Sequence, residues 1–206
     1  MAMNENNLPV IGIDLDDVLF DFMGPLSKWH NDVHGTVIDR EEYHSFDLKE
    51  VWQCAYQEAL DRVWNFYQSD HYRNAMPIPG ALDVLKQLQQ NYRLVIVTAR
   101  PETMEVETRA WLASHFPEIF DEIIFTNHYY DTGVKRTKSS VCLERGVQVF
   151  VEDALHNALD VAGAGIPVLL FDTPWNREVV PKLIHRVSSW QEVFENITRD
   201  SATREE

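Results

Sequence analysis

Cysteine is scarce in this sequence: Cys54 and Cys142 are the two in 206 residues. Two thiols make neither a disulfide framework nor a metal knuckle. Both sit among apolar neighbours, which reads as reduced, buried thiols of a cytoplasmic protein. Positive charge is also short, since 18 Lys and Arg stand against 33 Asp and Glu for a net charge of −15. Binding to phosphate backbones runs on Lys and Arg displacing counterions, so the balance argues against a nucleic-acid polymer or a membrane surface as partner. A small anionic ligand would need positive charge supplied by the site itself, from a metal ion or placed Lys and Arg. No apolar run nears the ~18 residues of a membrane span. The first residues lack the basic start and unbroken apolar stretch of a signal peptide. The P-loop of ATP-driven kinases and the Gly-x-Ser-x-Gly of serine hydrolases are both missing. There is no internal repeat, low-complexity segment or Ser/Gly linker.

What is present is an alternation. Short β-branched runs at 8–13, 94–97, 123–125, 147–151 and 168–171 read as buried strands. Between them, apolar residues at helical spacing follow Pro79-Gly80 (Leu82, Val84, Leu85, Leu88). Further helices are expected from Pro101 to about His115, over 139–145 up to Gly146, over 155–162 and over 190–197. This order predicts an α/β fold: a Rossmann-like parallel sheet of about five strands with helices on both faces. Residues 20–76 break the pattern. They hold 11 of the 23 aromatics and no convincing strand, and are expected to form a small helical cap. The core is then 1–19 with 77–206. The bland alternative for 20–76 is an aromatic-cored subdomain that never meets ligand; both can hold together, since a small cap needs aromatics to build a core.

Ligands of parallel α/β sheets sit beyond the carboxyl ends of the strands. Three expected strands end in polar residues of particular kinds: Asp14-Leu15-Asp16-Asp17-Val18, Thr98-Ala99-Arg100 and Glu152-Asp153. Lys138 lies before the helix leading to the fourth strand. Two carboxylates ~5 Å apart at an effective dielectric of ~20 repel by roughly 3 kcal/mol, so Asp14, Asp16, Glu152 and Asp153 together call for a cation. An all-oxygen donor set without Cys or His suits Mg2+ rather than zinc. A metal beside Lys138 and the Thr98 hydroxyl makes an anion site. There a carboxylate can attack a phosphoryl group, and a second carboxyl two residues on can serve as acid and then base.

In these four segments, taken in order, the chain resembles the haloacid-dehalogenase-like hydrolase superfamily, with 20–76 in the place of its helical cap. The resemblance implies that Asp14 is the nucleophile and Asp16 the general acid/base. It implies that Asp14, the main-chain carbonyl of Asp16, and Asp153 hold Mg2+, with Glu152 acting through water. Thr98, Ala99 and Arg100 at the second strand end, with Lys138, are the expected phosphate and substrate contacts. Asp17 stands where many relatives have Gly and receives no role. Ile-Asp-Leu-Asp-Asp-Val at 13–18, Val-Thr-Ala-Arg-Pro at 97–101, Val-Glu-Asp at 151–153 and Asp-Thr-Pro-Trp-Asn at 172–176 are similar to the 5'(3')-deoxyribonucleotidase-like branch. That implies a nucleoside monophosphate as substrate. A sugar phosphate is the alternative, and a non-enzymatic phospho-switch is less favoured because Asp16 is poised to hydrolyse an adduct. Whether the chain forms a homodimer stays open.

Other residues carry two readings each. Arg100 either reaches the substrate or pairs with Glu102 or Glu105. Lys135 and Arg136 compete with Lys138, which is favoured by its place at the helix start; Arg136 reads as part of a solvated loop. Asn157 supports the site or is an ordinary first-turn residue. Trp175, Asn176 and Arg177 line the rim or form a turn set by Pro174. Phe20, Phe22, Trp29, Phe46 and Trp52 stack on a base or, taken singly, more readily build cap core. His30 and His34, four apart, read as surface histidines rather than zinc ligands.

Overall fold

The computed structural model describes residues 8–127 and 134–202. Six parallel strands form one sheet: β1 (Val10–Ile13), β2 (Arg93–Thr98), β3 (Glu122–Phe125), β4 (Val147–Glu152), β5 (Val168–Phe171) and β6 (Ile184–Val187). Their order across the sheet is β3-β2-β1-β4-β5-β6. The five expected strands are present, and β6 is one more than the sequence reading found. It is an edge strand with Ile184 and Val187 buried and His185 exposed between, too short a signal to stand out; its pairing with β5 makes it a strand.

Side chains alternate between the two faces of the sheet, as the two-residue period of a strand requires. Ile11, Ile13, Leu94, Ile96, Val151, Leu169 and Phe171 join one apolar cluster. That cluster packs with α5 (Ala81–Leu88), α6 (Glu105–His115) and α9 (Trp190–Ala202). Val10, Val95, Val97, Phe150, Val168 and Leu170 join another, with α7 (Lys138–Arg145) and α8 (Leu155–Gly163). Gly12 faces this second side, where a Cβ would lie 2.6 Å from the Phe150 ring. The aromatic on β4 therefore requires glycine on β1.

Between β1 and β2 lie α1 (Met23–His34), α2 (Leu48–Trp52), α3 (Tyr56–Tyr67) and α4 (Asp70–Arg73). The chain leaves and re-enters the sheet through a paired neck, in which Ile78 donates its amide to the Leu19 carbonyl and Asp21 to that of Met76. Met23, Leu26, Trp29, Tyr43, Trp52, Phe66 and Tyr72 extend the first cluster into these helices and the stretch between α1 and α2. Trp29 and Trp52, weighed as base-stacking residues, are therefore packing residues.

His30 is buried at 1% exposure, not on the surface as its spacing suggested. It stacks on Trp52 at 4.5 Å. Its Nδ1–H donates to Thr36 Oγ1, whose own proton goes to Asn31 Oδ1. Arg62 Nη1 donates to His30 Nε2 at 2.8 Å. This chain of donors holds the ring neutral. Burial, then His34 and Arg62, push its pKa down from 6.5 to about 4. A group depressed in the fold contributes stability above its unfolded value that is lost as pH falls through the folded one. Urea unfolding of the wild type, minus that of His30→Gln, should therefore show a loss of about 1.4 kcal/mol per pH unit between 6.5 and 4. Parallel pH slopes in the two proteins would refute it. Among the described residues no third ligand joins His30 and His34, the one group able to hold a metal being acidic.

Candidate active site

The strand order explains why distant segments meet. β1 pairs with β2 on one side and β4 on the other. The residues that follow these three strands are thus neighbours at one sheet edge, where the order reverses direction. Asp14 is fixed there by its amide, which donates to the Val151 carbonyl. Asp14, Glu152 and Asp153 each bring a carboxylate oxygen within 4.8 Å of the others, and all three are buried.

Among the described residues, one cation enters this cluster. Lys138, the first residue of α7, is 4% exposed. Its Nζ lies 2.7 Å from Asp14 Oδ1 and 2.6 Å from Glu152 Oε2. Glu152 Oε1 accepts the amides of Asp153 and Ala154. The Glu152 carboxylate is thus occupied in orienting Lys138 and the turn after β4. Burial works against its charge, but Lys138 and the hydrogen bonds from Ala154 and Asp153 together outweigh burial and hold it below the usual range. Asp14 is the reverse case: burial and Glu152 raise it well above the ordinary carboxylate value in spite of Lys138. Burial, then Glu152, Asp17 and Asp14, raise Asp153 likewise. Three buried acids against one ammonium leave negative charge uncompensated, an environment that favours a hard divalent cation.

Asp153 is held from below. The Trp175 indole donates to its Oδ2 at 2.8 Å, and Asn176 Nδ2 donates to its carbonyl and to that of Phe171. The turn at Pro174–Asn176 sets both residues. They are buried and do not face the cavity. Arg177 instead reaches Glu41 in the stretch between α1 and α2. Asp17 adopts φ 55°, a left-handed conformation that glycine favours and Asp tolerates. Its Oδ1 accepts the Met23 amide at the start of α1, and burial pushes its pKa up to about 7.

At the second strand end, the Thr98 hydroxyl is fully buried and accepts the Arg100 amide at 3.2 Å. Ala99 and Arg100, rather than Thr98, form the cavity wall. The Arg100 guanidinium pairs with Asp16, not with Glu102 or Glu105. Lys135 is exposed. Arg136 pairs with Glu144 and is half-buried rather than solvated.

A cavity of about 480 Å³ opens above the acids, within the usual range for small-molecule sites. Asp14, Asp16, Asp17, Asp153 and Asn157 form its floor, and the segment between β1 and α3 contributes Phe22, Met23, Phe46 and Leu48. Tyr56, Ala59, Leu60, Val63 and Tyr67 of α3 add a further wall. The sequence reading missed this stripe. Its spacing, about one residue per helical turn on one face, was its signal, but that spacing also describes a helix facing a core.

A parallel sheet of this order, with acids at the ends of β1 and β4, a buried Lys between them and a helical segment after β1, is the architecture of haloacid-dehalogenase-like hydrolases. A hydrolase of the haloacid dehalogenase-like family from Streptococcus pneumoniae has a similar fold: it is 17% identical, with a TM-score of 0.68 over 93% of this chain and 99% of that one. The HAD-hydrolase YfnB of Bacillus subtilis, solved bound to magnesium, matches at 17% identity and a TM-score of 0.62, covering 92% and 98%. Within this class, the chain belongs to the family described as 5' nucleotidase, deoxy (pyrimidine), cytosolic type C, whose model matches residues 8–203. It is 25% identical over 190 residues to the 5'(3')-deoxyribonucleotidase of Bacillus subtilis, across 89% of this chain and 95% of that one. It is a phosphomonoester hydrolase of the nucleotidase type. Among the described residues, no helix is long and apolar enough to cross a membrane.

Proposed function

We propose that this hydrolase cleaves nucleoside or deoxynucleoside monophosphates with Mg2+, in two steps that use Asp14 and Asp16. Asp14 attacks phosphorus and forms an aspartyl-phosphate as the ester P–O bond breaks. Asp16 protonates the departing oxygen, then takes a proton from the water that cleaves the acyl phosphate. Asp14, Asp153 and the Asp16 carbonyl would hold the cation, with Glu152 engaged through Lys138 and water. When bound, the ion offsets charge on the phosphoryl oxygens. Lys138 adds a fixed positive charge at the same place.

The observation that carries the substrate reading is the aromatic and aliphatic wall over the acids. Phe22, Phe46, Tyr56 and Tyr67 line a cavity large enough for a base and sugar. A sugar phosphate would fit a smaller, more polar site. Base–aromatic contact is worth about 1–3 kcal/mol, enough to set preference without a base-specific hydrogen bond. The two free thiols accord with a reducing, cytoplasmic setting.

The test is phosphate release from a panel of nucleoside and deoxynucleoside monophosphates and sugar phosphates, with Mg2+ and with EDTA. Turnover should need the metal and favour a nucleotide by at least tenfold in kcat/KM. A preference for a sugar phosphate would replace the substrate reading, and undiminished turnover in EDTA would remove the metal from it.

A further inference from the structure

Arg100 is 2% exposed, yet it sits at the wall of the cavity. Its Nε donates to Asp16 Oδ2 at 3.0 Å and its Nη2 to Asp16 Oδ1 at 2.5 Å. Nη1 donates to Thr108 Oγ1 of α6 at 3.1 Å. The guanidinium carbon lies 4.6 Å from the Phe20 ring centroid and 5.5 Å from that of Tyr72. Both rings belong to the segment between β1 and β2, Phe20 at the neck and Tyr72 on α4. The fork is thus fixed in plane by Asp16 and Thr108, and its surroundings are aromatic. Asp16 itself keeps 27% side-chain exposure and lines the cavity.

We propose that Arg100 is a positioning residue for Asp16, which it holds in one orientation by gripping both carboxylate oxygens, rather than a ligand of the substrate phosphate. This rests on the reading of Asp16 as general acid and base. Proton transfer to a leaving oxygen needs a heavy-atom approach of about 2.6–3.2 Å. A misplacement of ~1 Å in such a group costs about 10²-fold. A lone carboxylate turns about its Cβ–Cγ bond, and a two-point pair with a planar fork stops that rotation. Lysine, a single point charge, would leave it free. The rings of Phe20 and Tyr72 also link this orientation to the placement of the cap segment.

The experiment compares wild type, Arg100→Met, Asp16→Asn and the double variant on the best substrate of the panel, with melting curves as fold controls. Arg100→Met should lower kcat about 100-fold and leave KM within about threefold. In the Asp16→Asn background the same change should cost no more than about twofold, because the residue it acts through is already disabled. If Arg100→Met does not fold, Thr108→Val tests the same point: it frees one arm of the fork, and its kcat loss of about threefold should vanish in the Asp16→Asn background. A raised KM with unchanged kcat would overturn the proposal in favour of substrate binding, as would a further tenfold loss in the double variant. An active wild type beside a fully active Arg100→Met protein overturns the positioning role alone. A folded wild type inactive on every phosphomonoester with Mg2+ overturns the reading of the site together with it.

Discussion

Asp14→Asn should abolish turnover, by on the order of 10⁴-fold or more, while the protein folds as well as wild type. The loss follows from chemistry, since an amide cannot displace the ester oxygen and nucleophile removals cost about that much or more. Retention of the fold follows from electrostatics. Burial and the charges of Glu152 and Asp16 hold the Asp14 carboxyl well above its ordinary value in spite of Lys138. A group raised in the fold contributes stability that is fully present below its unfolded pKa and lost as pH rises through the folded one. Above the unfolded value the raised Asp14 carboxyl is therefore a cost in the absence of a divalent cation, and a neutral isostere removes that cost. The melting temperature of Asp14→Asn in EDTA at pH 7.5 should equal or exceed that of wild type. Its rise on adding Mg2+ should be smaller, because one ligand is weakened. Residual turnover within tenfold of wild type would exclude Asp14 as nucleophile.

Lys138→Met should have the largest effect on stability. The ammonium is the cation 2.7 Å from Asp14 and 2.6 Å from Glu152. Its removal leaves buried carboxylates unpaired, a change that costs about 3–5 kcal/mol. In a chain of this size that is a fall of roughly 10 °C in melting temperature. The pH dependence supplies the sign. Glu152, held low chiefly by Lys138 against burial, contributes stability above its unfolded value in the wild type. Without Lys138 its ionisation becomes a burden, so the variant should regain stability as pH falls from 8 to 5. Differential scanning at three pH values with EDTA measures this, and a deficit independent of pH would mean that Lys138 acts by packing alone. Turnover should fall about 10²–10³-fold as well, since a fixed charge at the phosphoryl position is lost.

The polar strand ends were legible because each is local. An apolar run that stops at Asp14, Thr98 or Glu152 announces both a buried strand and the polar residue at its end. Their order along the chain suffices to place them on one sheet edge once the sheet is parallel. Residues that act by supporting others were not legible. Arg100 reads as a substrate contact or as the partner of acids two and five positions away, whereas its partner is Asp16, 84 residues earlier. Trp175 and Asn176 read as rim or as a turn set by Pro174; the turn is there, but its hold on Asp153, 22 and 23 residues away, was not legible. His30 looked like a surface residue because helical spacing does not say which face finds a neighbour; Trp52 and Arg62 bury it.

The sequence by itself thus determined the alternating α/β fold, the three polar strand ends with Lys138 at a helix start, the interruption at 20–76 and the crowding of acids. These depend on periodicity and charge, which are properties of short stretches. Only the tertiary structure decided that Lys138 bridges Asp14 and Glu152, that Arg100 grips Asp16 and that the apolar stripe of α3 lines a cavity as well as packing on the core. A sixth strand was also settled at that level, by pairing with β5. These are pairings between segments far apart in the chain. Which polar group meets which, and whether an apolar face meets protein or ligand, is fixed by the packing of whole elements.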